Sequence, residues 1–448
     1  MKSIPYILLC SLTLFLSAQE QVETLSFSLE EAKEYALQNS YKIQIAKFDV
    51  TKTTKKVNET TTIGLPQVSA EVGYTNFLDL ATQLIPAIFF NPEAQEGEFA
   101  EVQFGTKHNA NWNITVSQLI FSGEYIVGLQ TSKAYLNLSK YNLIKSENDL
   151  LEQVANAYYV VLVSERNKSI LDSILISIKE TLYETEQFYK EGLIEDTDVD
   201  QIRIMVSDLE TNNKIIEDQI KIAYKYLKFM MGMKTIHQLL LTDSLENIVN
   251  NIEEFLILNR NFNHENHIDF LMLKNQSAIA ELNLKLEKSG YLPTLSAFYS
   301  YEKNAMNNDF TILSSSQKWY PTSMVGLQIS VPIYNSGLKH FKVQQAKLDI
   351  EKLDVSKTEL SEGLDMQIEQ LRIDYKNAWF KHNNKNNNLN LSKKIYNKTQ
   401  IKYIEGISTS LELSQTYSQY LNTETTYITS ILDLLKAKSA LEKMLNKN

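Results

Sequence analysis

The 448-residue sequence predicts a mainly α-helical fold that also carries transmembrane β-strands, with the pattern written twice along the chain. Three observations predict it. Proline, the residue that most reliably ends a helix, is absent between Pro92 and Pro293 and again after Pro332, so two long stretches run uninterrupted. Four shorter segments alternate apolar and polar residues at period two, as half-buried strands do. Three short motifs recur in the same order in the two halves.

From the N-terminus, Lys2, the apolar run Ile7 to Leu16 and the small residues Ser17 and Ala18 read as a secretory signal over 1–18, cleaved before Gln19. The mature chain is therefore expected outside the cytoplasm. Cys10 is the only cysteine and falls within that segment, which leaves no thiol for a disulfide or a cysteine metal site. Leu9, in place of a small residue before Cys10, argues against a lipid anchor. No later stretch offers about 18 consecutive apolar residues, so a spanning helix is excluded and any membrane crossing falls to strands. A net charge of −10, with Lys and Arg scattered rather than striped, argues against a nucleic-acid partner.

The first strand places Val68, Ala70, Val72 and Tyr74 on one face, the second Trp112, Ile114, Val116 and Ile120. The third places Leu295, Ala297, Tyr299 and Tyr301 there, the fourth Val325, Leu327, Ile329 and Val331. Each runs about 8 to 11 residues, enough for a tilted strand to cross a bilayer. A soluble one-faced sheet alternates in the same way. In lipid, however, four strands cannot leave open edges. Three copies would close them as a twelve-strand barrel. The loop of roughly thirty residues after the first strand, with Pro86, Phe89, Phe90, Pro92 and Gly97, and one of about twenty before the fourth, belong on the outer face of such a barrel. Trp112, Trp319 and Tyr320 then fit either a membrane interface or an ordinary aromatic core.

The proline-free stretches predict helices over Glu124 to Lys190 and Leu338 to Glu405. At about 1.5 Å per residue each would be roughly 100 Å long, too long for one globular core. Leu171, Leu175, Ile178 and Leu182 form a seam at coiled-coil spacing, and Ile216, Ile220, Ala223 and Leu227 form another. A soluble amphipathic bundle accounts for the seams but not for the unbroken length.

The duplication ties these elements together. Leu65-Pro66 parallels Leu292-Pro293 where a helix gives way to a strand. Ile120-Phe121-Ser122-Gly123 parallels Ile333-Tyr334-Asn335-Ser336-Gly337, and Tyr189-Lys190-Glu191-Gly192 parallels Tyr403-Ile404-Glu405-Gly406. A glycine at the end of a long helix, followed by a second amphipathic helix, predicts a hairpin tip at Gly192 and another at Gly406. The expected organisation is a first repeat over 19–234, a seam over 235–259 and a second repeat over 260–448.

With these motifs the chain resembles the TolC family of outer-membrane efflux proteins over essentially all of its mature length. Phe27-Ser28-Leu29-Glu30-Glu31-Ala32 and the residues to Ser40 resemble that family's amino-terminal helix. The resemblance implies a homotrimer, with a twelve-strand β-barrel in the outer-membrane lipid continuous with a twelve-helix periplasmic α-barrel, and 235–259 in its equatorial region. It implies a passive conduit for solutes, a periplasmic adaptor (membrane fusion) protein at the hairpin tips, and an inner-membrane pump. It also implies a periplasmic gate at the tips. Asp198 falls where the first repeat supplies a carboxylate to the latch, Tyr403 on the matching tyrosine, and Ser408 where the family has an arginine. An Asp198 to Tyr403 hydrogen bond is then available but a charge-assisted one from Ser408 is not. The two acidic constriction positions fall on Glu412 and Gln415, so the ring carries half the usual charge. Asp198 and Glu412 also fit the simpler role of first-turn acids that stabilise helix starts.

Catalytic and cofactor-binding motifs are absent: there is no GxGxxG, P-loop, GxSxG or nucleophile-base pair. His264-Glu265-Asn266-His267 lacks a third ligand and an HExxH arrangement, which argues against a metal site. The asparagine-rich run from Asn383 to Asn390 is poor helix material and reads as a solvated helix face or compositional drift. The expectation is thus an outer-membrane channel without enzymatic activity or cofactor. A secreted coiled-coil structural protein or surface adhesin is the alternative, and the long helices count against a diffusion porin.

Overall fold

The computed structural model describes residues 24–250 and 257–445. The expected signal segment, with Cys10, lies outside the described residues. So do residues 251–256 of the expected seam. In chain order the elements are β1 (Thr24–Phe27), α1 (Leu29–Asn39), α2 (Tyr41–Thr62), β2 (Gln67–Asn76), β3 (Thr82–Pro86), β4 (Phe99–Gln103), β5 (His108–Phe121), α3 (Gly123–Lys190), α4 (Asp196–Met231), β6 (Gln238–Leu241), α5 (Leu245–Asn250), α6 (Ile268–Ser289), β7 (Thr294–Asn307), β8 (Tyr320–Ser330), α7 (Leu338–Ile404) and α8 (Ser410–Leu445). The two long helices run unbroken for 68 and 67 residues, within one residue of the bounds set by the proline-free stretches. Among the described residues no helix is long and apolar enough to cross a membrane.

Packing divides the chain into two compact units. Among the described residues one comprises 24–45, 146–250, 257–263 and 365–445, and the other 46–145 and 264–364. The first is helical. Its core draws Leu171, Ile174 and Ile178 from α3, Ile202, Val206 and Leu209 from α4, Tyr396 and Tyr403 from α7, and Leu413, Tyr417 and Tyr420 from α8. Spacings of three and four put each set on one helix face, so four helices share one seam. Leu175 and Leu182, expected in that seam, pack at its margin, half-buried.

The N-terminal segment is fixed to this unit by polar groups. Ser28 caps α1 through a capping box in which the Glu31 carboxylate accepts the Ser28 N–H at 2.8 Å. That contact holds the Glu31 carboxyl below its ordinary range. The Asp243 carboxylate accepts the Leu29 N–H at 2.7 Å, and the buried Tyr158 hydroxyl reaches the same carboxylate and the Phe27 carbonyl at 3.0 Å. β1 pairs in parallel with β6 beside this junction. Four-residue strands of this kind are too short for a period to show, and neither was expected from the residue pattern.

The second unit is built on a four-stranded antiparallel sheet in the order β2-β5-β7-β8. Its register brings Val68, Ala70 and Val72 opposite Val116, Ile114 and Trp112, and Tyr299 and Ala297 opposite Val325 and Leu327. The predicted apolar rows therefore fall on one face, apart from Ile120, which lies in a β-bulge where Phe121 pairs with Leu295, and Val331, one residue past β8. That face is open: Val72 is 83% and Val325 82% exposed. The other face is mostly polar, with Thr115 Oγ1 and Ser300 Oγ hydrogen bonded at 3.2 Å. It admits the Phe298 ring because Gly326 has no Cβ to collide with it across the strand pair. β5 and β7 extend to 14 residues, longer than the period predicts, and the expected twenty-residue loop before β8 is correspondingly shorter. Alternation fades where Lys303 joins the apolar row, its ammonium lying over the Trp112 ring. The long first loop is not structureless either. β3 and β4 form a hairpin in it.

Candidate functional site at the hairpin tips

Both tips are built in the same way. The Gly192 N–H donates to the Tyr189 carbonyl at 3.0 Å and the Leu193 N–H to the Phe188 carbonyl at 3.0 Å. At the second tip the Gly406 N–H donates to Tyr403 at 3.0 Å and the Ile407 N–H to Lys402 at 2.7 Å. These bonds satisfy the last carbonyls of α3 and α7, and they require a left-handed residue, which glycine supplies with φ of +73° and +75°. α4 and α8 then start at equivalent positions, Val199 and Leu413 turning into the shared core.

Asp198 and Glu412 occupy the third position of α4 and α8. Asp198 contributes to its helix start, its Oδ2 accepting the Glu195 N–H at 3.3 Å, whereas at α8 the cap is Thr409, whose Oγ1 accepts the Glu412 N–H at 3.2 Å. Asp198 has a second partner. Its Oδ1 accepts a hydrogen bond from Ser410 Oγ, a buried hydroxyl at the first position of α8, so the carboxylate ties one hairpin to the other.

Tyr403 is 7% exposed, and its hydroxyl lies 3.2 Å from Thr185 Oγ1 on α3. Thr185 gives its own proton to the Thr181 carbonyl at 2.7 Å, so Tyr403 is the donor. Burial and the nearby Asp198 charge keep the phenol neutral by raising its pKa. Among the described residues Asp198 and Tyr403 do not bond to each other; each joins the two hairpins through a different hydroxyl.

Ser408 Oγ donates to the Glu412 carboxylate at 2.6 Å, one turn along the exposed side of the second tip. Gln415 follows three residues later on the same exposed side. Sequence reading missed Ser410 and Thr185. The signal for Thr185 was present: Thr181 and Thr185 continue the stripe of Ile174 and Ile178 at seam spacing, and a hydroxyl in an apolar seam needs a partner. Ser410 carried no such mark, since serine is common at any helix start.

The His264 to His267 cluster has a structural role, in that His267 Nδ1 accepts the Asp269 N–H at 3.3 Å and caps α6.

A family model described as outer membrane efflux protein matches residues 33–233 and 264–447. The chain is 22% identical over 236 residues to outer membrane protein TolC of Vibrio cholerae, covering 52% of this chain and 53% of that protein. It is 22% identical over 226 residues to the proteases secretion protein PrtF of Dickeya chrysanthemi, covering 50% and 47%. The chain thus spans about half the length of the curated relatives it matches. Among solved structures it is similar to the outer membrane protein VceC of Vibrio cholerae, with a TM-score of 0.68 at 14% identity over 94% of this chain and 96% of that one. The CmeC outer membrane channel of Campylobacter jejuni gives 0.68 at 15% identity over 96% and 90%. At these identities the likeness is one of fold.

Proposed function

The chain belongs to the outer membrane efflux protein family, and from that premise we propose that it is the outer-membrane channel of a tripartite efflux or type I secretion system. The observation that carries this reading is the sheet. A four-stranded antiparallel sheet with a continuous exposed apolar face, and with no partner on the outer edges of β2 and β8 among the described residues, suits lipid only if other copies complete it. Three chains supply twelve strands and close the ring. Two helical hairpins from each chain supply twelve helices to a periplasmic barrel continuous with it, and the two repeats give each hairpin its own tip.

In this assembly the tips face an adaptor protein and an inner-membrane pump, which supplies the energy. The chain itself is a passive conduit and performs no catalysis. Asp198 with Ser410, and Tyr403 with Thr185, hold neighbouring hairpins together and form the resting latch. Ser408 braces Glu412, whose three copies narrow the bore as an anionic ring, with Gln415 adding a polar but uncharged position.

Fractionation tests the reading. The mature chain is expected in the outer-membrane fraction and to run as a trimer after gentle detergent extraction. Recovery as a soluble chain, or as a detergent-solubilised monomer, refutes it and favours a secreted coiled-coil protein.

A further inference from the structure

A cavity of about 490 Å³ opens in the helical unit between α3, α5, α7 and α8, within the size range of small-molecule sites. Two of its walls are polar and regular. Ser169, Ser173 and Ser177 recur every fourth residue along α3, while Asn386, Asn390 and Asn397 line α7 at spacings that keep them on one face. Asn386 and Asn390 of the asparagine-rich run thus line the opening, while the run as a whole stays a largely exposed helix face. Three groups of the lining bear on what it could hold. The Tyr396 hydroxyl is buried and has no partner at hydrogen-bond distance among the described residues, in a ring stacked on Tyr420 at 5.5 Å between centroids. Glu424 lines the same cavity and is only 4% exposed. Burial raises its carboxyl pKa, while Lys393, Arg166 and a hydrogen bond from Tyr420 act to lower it. Lys393 is exposed and makes no ion pair among the described residues, whereas Arg166 is already engaged by Glu246 at 3.0 Å.

We propose that this cavity binds a small zwitterion of the amino-acid or dipeptide class. Its ammonium group sits at the Glu424 carboxylate, beside Tyr396, Tyr420 and Tyr427 of the same lining. Its carboxylate turns to Lys393, and its amide groups meet the asparagine and serine rows and the orphaned Tyr396 hydroxyl. The lining charges, Arg166 and Lys393 against Glu246 and Glu424, already balance, and a zwitterion keeps that balance. An organic cation would unbalance it, and a neutral sugar would leave the opposed carboxylate and ammonium unused. The site is lined by residues of a single chain and does not depend on the channel reading.

Calorimetric titration of the detergent-solubilised full chain tests it, with leucyl-alanine as the probe and the same dipeptide blocked at both ends, choline and cellobiose as comparisons. Leucyl-alanine is expected to bind, blocking its ends to abolish binding, and Glu424→Gln and Lys393→Met each to weaken it about tenfold, the scale of one charged hydrogen bond. Lys393 is exposed, so its variant folds and keeps the test decisive even if the Glu424 variant does not. Equal binding of the blocked dipeptide overturns the proposal. So does binding of choline or cellobiose without leucyl-alanine, or no binding of any probe at millimolar concentration.

Discussion

Ser410→Ala separates the two roles that meet on Asp198. The substitution removes the hydrogen bond that crosses from α8 to Oδ1 and leaves intact the Glu195 N–H that Oδ2 accepts. A hydrogen bond to a charged group is worth about 1.5 to 3 kcal/mol. Ser410 is buried but Asp198 is only half-buried, which puts this one near the lower bound of about 1.5 kcal/mol. Tyr403→Phe removes a neutral bond of about 1 kcal/mol to Thr185. Summed without coupling, the two bonds come to about 2.5 kcal/mol per chain, and the charge of Asp198 beside Tyr403 makes the double variant a test of that coupling. If closure rests on them, the open-to-closed ratio rises by about tenfold per chain in Ser410→Ala and roughly fifty- to hundredfold per chain in the double variant, and the three factors multiply where the trimer opens as one. Single-channel recording in a planar bilayer measures the ratio directly, with detergent-stable trimers as the control for assembly. Open probability within twofold of wild type in the double variant would refute the latch. A rise in Asp198→Ala but not in Ser410→Ala would assign Asp198 to the start of α4 alone.

Three further outcomes follow from other parts of the fold. Gly232 has φ +72°, close to the tip glycines, but a Cβ there would lie 2.2 Å from the Asn39 carbonyl oxygen, whereas Gly192 faces open space. Gly192→Ala should therefore cost only the left-handed backbone penalty of about 1 to 2 kcal/mol, and Gly232→Ala a further ~1 to 3 kcal/mol for overpacking; equal losses in denaturant midpoint would contradict this. Burial lowers the pKa of His382 below the ordinary 6.5, so the unfolded chain takes up the proton first and stability falls as pH drops through 6.5. Chemical denaturation at pH 5.5 and 7.5 should show that loss in wild type and a smaller one in His382→Gln. On the apolar face of the sheet, Val325→Arg should cost up to ~2 to 4 kcal/mol in lipid and reduce outer-membrane yield, while Gln328→Arg on the opposite face is tolerated. Equal yields would mean that the apolar face does not meet lipid.

What the sequence disclosed depended on how many residues carried each signal. α3 and α7 were legible because proline is missing from tens of consecutive positions, and β2, β5, β7 and β8 because each alternates over enough residues to show a period. The tips were legible because a left-handed residue has few substitutes for glycine. β1 and β6 were not, being four residues each and held by Tyr158 and Asp243 from elsewhere in the chain. At the tips, Asp198 and Tyr403 were found through a resemblance, but their partners were not. Ser410 and Thr185 acquire meaning only when two hairpins lie side by side, and no local pattern records which hydroxyl will face which carboxylate.

The central joint of the sheet bears on the order in which the molecule can fold. β5 pairs with β7, so Thr115 meets Ser300 across an intervening segment that holds α3, α4, α5 and α6. The β2 to β5 pair and the β7 to β8 pair close over much shorter loops. Pairings distant along the chain carry the larger entropy of loop closure and form slowly. Each β-hairpin is therefore expected to be made early, and the two halves to be joined late, after most of the polypeptide has been exported. In that interval the inner edges of β5 and β7 are as unprotected as the outer edges of β2 and β8, so four strand edges rather than two are open to mispairing. A chaperone that shields exposed strands before insertion would act on that intermediate more than on the finished sheet.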